Sequence, residues 1–299
     1  MSAAVFTNKV YADELLSLTL GLGSHRSARV LRVAKVFVAI AECMDQLRIL
    51  YTDLYVTDPV LPEAIALWPN PTLHPSESEK TIPELQFYAK VNRANGRPLV
   101  VIDQDNEIHA MYLAEMKLEI PTEAPPQKVF VKFTPSYNED AHRLLADNVP
   151  PLAPALHFCA RVLGDMYMVV MEYIPESRGR SADPLVLFDG PPLPRSSRSA
   201  VKRDVGMALD LLHGQKLVFG DLREPNLLYL SGPDDGRVFL VDFDVVGRDG
   251  EARYPTCLNQ KAGFCAGVER GQIMKMAHDT ENFALLLGRL DRWFSRTKT

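Results

Sequence analysis

Charged side chains interrupt an apolar stretch of the sequence, "KLVFGDLREPNLLYL" at residues 216–230. Asp221, Arg223, Glu224 and Asn226 stand there between two runs that are typical of buried strands. Solvated loops are usually polar throughout, and buried strands usually carry no charge. This composition therefore indicates a site that a rigid scaffold holds in place. The alternative is a polar turn in which Asp221 and Asn226 bond only to backbone groups.

A second motif, "VDFD", ends the next strand-like run with Asp242. The turn "SGPDDG" lies between the two motifs, so we expect Asn226 and Asp242 to converge at one end of a hairpin. A carboxylate and an amide oxygen that converge in this way form a hard-oxygen site suited to Mg²⁺. Asp221 is not needed as a ligand and could accept the proton of an attacking hydroxyl.

The bulk composition is that of a globular protein. The chain has 299 residues, of which 46% are hydrophobic and 24% are charged, which suits one large domain or two smaller ones. Its net charge of −5 argues against nucleic-acid binding, which needs a basic face. The four cysteines form no CxxC pair, and no apolar run or basic N-terminal start indicates a membrane span or a secretion signal. We expect a soluble cytoplasmic or nuclear protein that binds neither nucleic acid nor membrane.

The elements that must position these residues follow from periodicity. Apolar spacing predicts a helix or a helical pair over residues 10–55, and Pro and Ser predict a linker over 67–84. The predicted strands are LQFYAKV, RPLVVID, EIHAMYLAEM, KVFVKF, MYMVVMEYI and RVFLVDFDV. The predicted helices are SYNEDAHRLLAD with Ser136 as N-cap, RSAVKRDVGMALDLLHGQ with Gly214 as C-cap, and HDTENFALLLGRLDRWF. Residues 175–197 are predicted to form a surface loop.

Five segments, in order, resemble the protein-kinase-like superfamily over roughly residues 95–290. "GDLREPN" stands where the catalytic loop would be, and "DFD" stands where D-F-G would be. "VFVKF" resembles the strand that carries the phosphate-binding lysine, here Lys132. "HDTENFALLLG" resembles the helix whose aspartate, here Asp279, anchors the catalytic loop. The wording of "VFGDLREPN" is similar to that of reduced, atypical kinase-like proteins common in mushroom-forming fungi.

The fifth segment, "VVMEYI", resembles the hinge that binds adenine. The resemblance implies that Met171 is the gatekeeper and that Glu172, Tyr173 and Ile174 form the hinge. It also implies that Glu139 is the glutamate that pairs with Lys132. The alternative for Glu139 is a capping-box residue at the start of its helix.

The resemblance implies an α+β, bilobal protein-kinase-like fold. Its parts would be a helical N-terminal extension (1–75), a β-rich small lobe with the hinge (76–174) and a shortened helical large lobe (175–299). The implied activity is transfer of the γ-phosphate of ATP, with Mg²⁺ as cofactor, to a hydroxyl of a protein Ser or Thr. Asp221 would orient the hydroxyl, Asn226 and Asp242 would hold Mg²⁺, Lys132 would grip the phosphates, and Arg223 would approach the transferred phosphate.

Departures from the family pattern leave two other functions open. Phe219 and Gly220 replace the usual His-Arg, and a glycine before the aspartate is similar to the H-G-D of aminoglycoside and choline phosphotransferases, whose substrates are small molecules. Asp244 replaces the glycine of D-F-G and either adds a carboxylate near the metal or points to solvent.

The third candidate function is a pseudokinase that binds a protein partner through residues 1–75. The turn expected to cover the phosphates, "DQDNE" at 103–107, has no glycine, and the alternative turn "RANGRP" lacks the motif. Only residues 280–299 follow Asp279, fewer than the further helices of a conventional large lobe need. These two features favour the pseudokinase, and the presence of Lys132, Asp221, Asn226 and Asp242 together disfavours it.

Overall fold

The computed structural model describes residues 2–6, 10–14, 26–53, 68–91, 110–117, 126–175, 177–181, 196–231, 236–259 and 262–296. The chain divides into two compact units, Met1–Pro69 and Asn70–Thr299. The domain boundaries after residues 75 and 174 stay predictions. In the part of the chain described here, no helix has the length and apolar character needed to cross a membrane.

The first unit contains a hairpin and a long helix. Strand β1 (Ser2–Phe6) pairs with β2 (Val10–Glu14) in antiparallel register, and helix α1 covers Arg26–Asp53. The helix predicted from residue 10 is therefore wrong at its start, where the run Val-Tyr pairs as a strand. The leucines at 15–20, which were part of the same prediction, lie outside the described residues.

A five-stranded antiparallel sheet opens the second unit and agrees with the predicted α+β class. Its spatial order is β3-β4-β5-β7-β6, so the last two strands are exchanged relative to chain order. Strand β6 was not predicted from the sequence, although its "LHFCARV" run has the composition of a buried strand and lies between Pro-rich and Gly-containing turns. The strands are β3 (Leu85–Lys90), β4 (Met111–Met116), β5 (Gln127–Thr134), β6 (Leu156–Val162) and β7 (Met166–Glu172).

The segment predicted as a linker, residues 67–84, is instead attached to the sheet where it passes β6. Leu163 donates its backbone N–H to the carbonyl of Thr72, and His74 donates to the carbonyl of Arg161. Leu73 forms an antiparallel bridge with Val162 between these two bonds. A Pro- and Ser-rich composition predicted a free loop, but backbone pairing at the sheet edge does not depend on side-chain type.

The rest of the second unit is mostly helical. Short strands lie on either side of the charged loop, which is residues 219–226. The segment 175–197, predicted to be a surface loop, contains a further short strand, which pairs with the strand that follows the charged loop. The helices are α2 (Glu139–Ala146), α3 (Ser196–Gly214) and α4 (Met276–Arg296). The strands are β8 (Gly179–Ser181), β9 (Leu217–Val218), β10 (Leu227–Leu230), β11 (Val238–Leu240) and β12 (Gly247–Arg248).

Two helix ends differ from their predictions. The N-cap of α2 is Asn138, whose side-chain oxygen accepts the N–H of Ala141 at 2.9 Å, and not Ser136. Helix α3 ends at Gly214 as predicted, but the left-handed residue that turns the chain is Lys216, with φ 57°. Its N–H bonds to the carbonyl of His213, which closes the helix without a glycine in the left-handed position.

The main apolar core joins the sheet to the helices through Phe243, which is 1% exposed. The ring of His142 on α2 stacks on Phe243 with a centroid distance of 4.6 Å and an interplanar angle of 9°. His142 is fully buried and bonds to the hydroxyl of Tyr137 at 2.6 Å and to the carbonyl of Pro154 at 2.8 Å. His142 is therefore a packing residue of the core.

Burial lowers the pKa of His142 to about 4, although the Pro154 carbonyl favours the protonated ring. Above the ordinary histidine pKa of about 6.5, neither the folded nor the unfolded chain carries this proton. Between that pKa and about 4, only the unfolded chain takes it up, so the folded state loses stability as pH falls.

We expect this group to lower the free energy of unfolding by about 3 kcal/mol between neutral pH and pH 4. His142→Phe keeps the stacked ring and removes the titration, so its stability profile should be flatter by that amount. His74→Gln, which alters a histidine outside the core, should follow the wild type. Urea unfolding across this pH range measures the difference, and parallel wild-type and His142→Phe profiles would contradict it.

Candidate functional site

Asp279, in the first turn of α4, anchors the backbone at the start of the charged loop. One carboxylate oxygen accepts the N–H of Phe219 at 2.7 Å, and the other accepts the N–H of Gly220 at 3.0 Å. His213 on α3 bonds to the same carboxylate at 3.1 Å. Asp279 has no exposed surface, so these contacts take the place of water. The carboxylate therefore sets the path of the backbone immediately before Asp221.

Gly220 has a steric reason to stand before Asp221. Its φ is 80°, in the left-handed region that favours glycine. A Cβ there would lie 2.5 Å from the Cε of Met274 and 3.0 Å from a methyl of Val245. A residue with a Cβ would therefore be strained and crowded at this position.

Asp221 is held by two neighbours on its own loop. The guanidinium of Arg223 donates to both carboxylate oxygens, at 2.7 and 3.1 Å. The amide nitrogen of Asn226 donates to the carbonyl and to one carboxylate oxygen of Asp221, each at 2.8 Å. Burial raises the pKa of Asp221 above its usual value, although Arg223 and Asn226 oppose the shift. A carboxyl whose pKa lies closer to neutrality is better suited to accept a proton.

Asn226 and Asp242 meet at one end of the hairpin, as the spacing predicted. Leu227 of β10 is paired with Leu240 of β11, and Val241 donates its N–H to the carbonyl of Asn226 at 3.0 Å. The amide nitrogen of Asn226 is used by Asp221, which leaves the amide oxygen as the atom that could ligate a metal. Asp242 has φ 72°, a conformation that non-glycine residues adopt at a cost and that clusters at functional sites.

Lys132 reaches from β5 to this end of the hairpin. Its Nζ lies 2.5 Å from Oδ1 of Asp242 and 2.8 Å from Oδ2 of Asp244, and its side chain is largely buried. Burial alone would lower the pKa of Lys132, but the charges of Asp242 and Asp244 outweigh it and raise the pKa above its ordinary value. Lys132 is therefore a protonated ammonium that joins the sheet to the hairpin.

Glu139 does not pair with Lys132 in the described part of the chain. Its carboxylate contacts Nζ of Lys80 at 3.2 Å and Nε of Arg143 at 2.9 Å. Lys80 also donates to the carbonyl of Cys159 at 2.8 Å, which fixes its ammonium beside α2. Instead of the predicted pair with Lys132, Glu139 therefore contacts two other cations, Lys80 and Arg143. The capping-box alternative is not found either, because Asn138 caps the helix.

Asp244 belongs to the site and does not point to solvent. The hydroxyl of Thr134 donates to its Oδ2 at 2.7 Å, beside the contact from Lys132. Its Oδ1 is buried and is one of three such side-chain atoms in the described residues that lack a hydrogen-bond partner. Burial raises the pKa of Asp244 to about 6, against the opposing effect of Lys132. One ammonium is thus shared by the carboxylates of Asp242 and Asp244.

These donors are of the hard-oxygen type that magnesium binds, and they are few. The described residues contain no cluster of three or more His, Cys, Asp or Glu side chains that could hold a metal by themselves. Magnesium commonly binds one or two carboxylates and completes its shell with water and phosphate oxygens. Three groups could provide oxygens of this kind: the carboxylate of Asp242, the carboxylate of Asp244 with its unpartnered Oδ1, and the amide oxygen of Asn226.

The segment that the resemblance identifies as the hinge lies at the end of β7, the strand that pairs with β5 at Lys132. Lys132 lies opposite Val169, so Met171, two residues further along β7, shares its face of the sheet. Met171 is buried there. Glu172 ends β7 and pairs with Arg178 at 2.9 Å, and Tyr173 and Ile174 follow. The predicted gatekeeper is thus placed beside Lys132, and its role stays a prediction.

Some site residues were not identified from the sequence, and one prediction lies outside the described residues. The sequence did not identify Thr134, Lys80 or Tyr137. Thr134 and Lys80 contact residues that are far away along the chain, and Tyr137 is of a common residue type that no pattern distinguishes. The turns "DQDNE" and "RANGRP", predicted to cover phosphates, lie outside the described residues. Glu224, a charged residue of the same loop, pairs with Arg289 of α4 at 2.5 Å.

Comparison with solved structures gives a likeness of fold. No protein-family model matches the chain, and no curated protein matches it. Among solved structures, it is similar to the kinase PK-1 of Cydia pomonella granulovirus, at 17% identity. The likeness covers 68% of each chain, with a TM-score of 0.49. A likeness of this degree says nothing about activity, substrate or cofactor.

We expect Asp279→Ala to lower the free energy of unfolding by about 2–5 kcal/mol, because two buried N–H groups would lose their acceptor. Asp279→Asn keeps one acceptor and should cost less. Asp210→Ala, an exposed aspartate of α3, is the matched control and should stay within about 0.5 kcal/mol of wild type. Denaturant unfolding measures all three, and equal stability of Asp279→Ala and Asp210→Ala would contradict the anchoring role.

Proposed function

We propose that this chain is an ATP-dependent phosphotransferase of the protein-kinase-like type, which transfers the γ-phosphate to a hydroxyl. The observation that carries the proposal is the position of Lys132, whose ammonium lies between Asp242 and Asp244. Asn226 and Asp221 lie at the same end of the hairpin, on a loop that Asp279 fixes. A phosphate-binding cation, hard-oxygen ligands and a proton acceptor are the parts that phosphoryl transfer needs.

The charges of the site favour a nucleotide with its metal. Lys132 is shared between the carboxylates of Asp242 and Asp244, and Oδ1 of Asp244 is buried without a hydrogen-bond partner in the described residues. A network that served only structure would leave no such atom. A bound cation would give this Oδ1 a partner, and the phosphates that accompany the cation would give Lys132 a new one.

Each residue then has a role. Asp242, Asp244 and Asn226 would hold Mg²⁺, which, when bound, neutralises phosphate charge and orients the phosphates. Lys132 would leave the two aspartates and contact the phosphate oxygens. The backbone of Tyr173 and Ile174 would contact the adenine, with Met171 beside it.

Asp221 would act on the acceptor. Its carboxylate would take the proton of the hydroxyl while the hydroxyl oxygen forms a bond to the γ-phosphorus. The bond from that phosphorus to the bridging oxygen breaks, and ADP leaves. Arg223, which now holds Asp221, would turn towards the transferred phosphate as its charge moves. The raised pKa of Asp221 favours this proton transfer.

The substrate that we propose is a protein Ser or Thr. Gly220 favours a small-molecule hydroxyl, but its left-handed φ gives it a structural reason that is independent of substrate. A nucleotide-binding module without turnover is the second candidate, and the two-point hold of Arg223 on Asp221 favours it. Conversion of bound ATP to ADP distinguishes the enzyme from this module.

The test is calorimetric titration of ATP with and without Mg²⁺. We expect binding that requires Mg²⁺ and that Lys132→Met weakens about 10–100-fold, the loss of one charge-assisted contact. Lys128→Met, an exposed lysine of the same strand, is the control and should bind as wild type does. Absence of binding by wild type, or equal affinity of Lys132→Met and Lys128→Met, would contradict the proposal.

A further inference from the structure

Asn138 bonds both to helix α2 and to the carboxylate segment, residues 242–246, which carries two aspartates of the site. Its backbone N–H donates to the carbonyl of Phe243 at 3.1 Å, and its side-chain nitrogen donates to the carbonyl of Val246 at 3.4 Å. Its side-chain oxygen accepts the N–H of Ala141 at 2.9 Å, as the N-cap of α2. One residue thus joins the start of a helix to the segment that holds the candidate metal ligands.

Capping alone does not require an asparagine at this position. Asn, Asp and Ser stabilise a helix start about equally, because each offers an oxygen to the N–H groups of the first turn. An ionised aspartate has no donor, and the serine hydroxyl has its donor and its acceptor on one atom close to the backbone. Asparagine has an acceptor and a donor on separate atoms. Its contact with Val246 therefore explains why Asn138 is an asparagine.

The carboxylate segment is also held from the sheet. Lys132 contacts both aspartates, and the hydroxyl of Thr134 donates to one of them. In the proposed phosphotransfer site, Lys132 leaves the aspartates for the phosphate oxygens. The positive φ of Asp242 has a cost in free energy, so the surrounding structure must still maintain it after Lys132 has moved. The bonds from Asn138 involve no group that the nucleotide displaces, and they remain.

We propose that Asn138 is a positioning residue, which keeps the carboxylate segment in the geometry that Mg²⁺ needs once Lys132 has turned to the phosphates. The inference rests on the proposed function, because in the chain without nucleotide Lys132 itself holds the segment. Loss of the amide nitrogen of Asn138 should therefore have little effect on the free chain and a larger effect on the chain with Mg²⁺ and ATP.

Calorimetric titration of ATP in excess Mg²⁺, together with urea unfolding of the nucleotide-free chain, tests this role. Asn138→Ser keeps a cap and removes the amide nitrogen, so its unfolding midpoint should stay near that of wild type while its affinity for ATP with Mg²⁺ falls about 3–10-fold, the value of one hydrogen bond. Asn138→Ala also removes the cap, so it should bind as weakly as Asn138→Ser and unfold at a lower urea concentration.

Asn148→Ser is the matched control, because it removes an amide that donates to the carbonyl of Pro150 beyond the other end of α2. It should bind as wild type does. Equal affinity of wild type and Asn138→Ser, or a loss of affinity with Asn138→Ala alone, would overturn the inference and leave the proposed function standing. Absence of binding by wild type would overturn the proposed function and this inference with it.

Discussion

The ammonium of Lys132, held between the carboxylates of Asp242 and Asp244, is the interaction on which the site depends. It joins strand β5 to the end of a hairpin that is 110 residues away along the chain. Within the buried site this contact is strong, since charges in a low dielectric attract more than they do in water. Among the described residues, Oδ1 of Asp244 is buried and has no hydrogen-bond partner, an arrangement that a network serving only stability would avoid.

The surrounding structure keeps this arrangement in place. Phe243 lies between the two aspartates in the sequence and is buried against His142 of α2 and Phe219 of the loop. The same loop is bonded through its backbone to Asp279, so one buried carboxylate aligns Asp221 while one buried ring aligns Asp242 and Asp244. The charged residues stand between apolar runs in the sequence because those runs form the rigid apolar support that holds the charged loop in place.

Part of this site was readable from the sequence because it is local. The convergence of Asn226 and Asp242 follows from a hairpin with a recognisable turn, and Asp279 was identified from the order of five segments. The partner of Lys132 was not readable. Glu139 was the glutamate nearest along the chain, but Lys80 and Arg143 neutralise it, and Lys80 arrives from a segment whose composition predicted a linker. Such pairings are decided by which segments pack together, and composition does not carry that information.

The fold shows the same difference between features that local sequence predicts and features that depend on distant segments. Long periodic segments such as α4 were predicted well, whereas β6 was not identified and residues 10–14 were assigned to a helix. Strand pairing stabilises short segments with little intrinsic signal, and that stabilisation depends on neighbours far away in the sequence. Asp244 illustrates the point for the site, since only the positions of Thr134 and Lys132 show that its side chain is held within the site and is not solvated.

The most direct measurement is a crystal structure of the chain with Mg²⁺ and a non-hydrolysable ATP analogue. The account predicts a metal about 2.0–2.1 Å from an oxygen of Asp242 and Nζ of Lys132 moved from the aspartates to the phosphate oxygens. A structure in which Lys132 still bridges Asp242 and Asp244 while the nucleotide binds elsewhere, or does not bind, would contradict it.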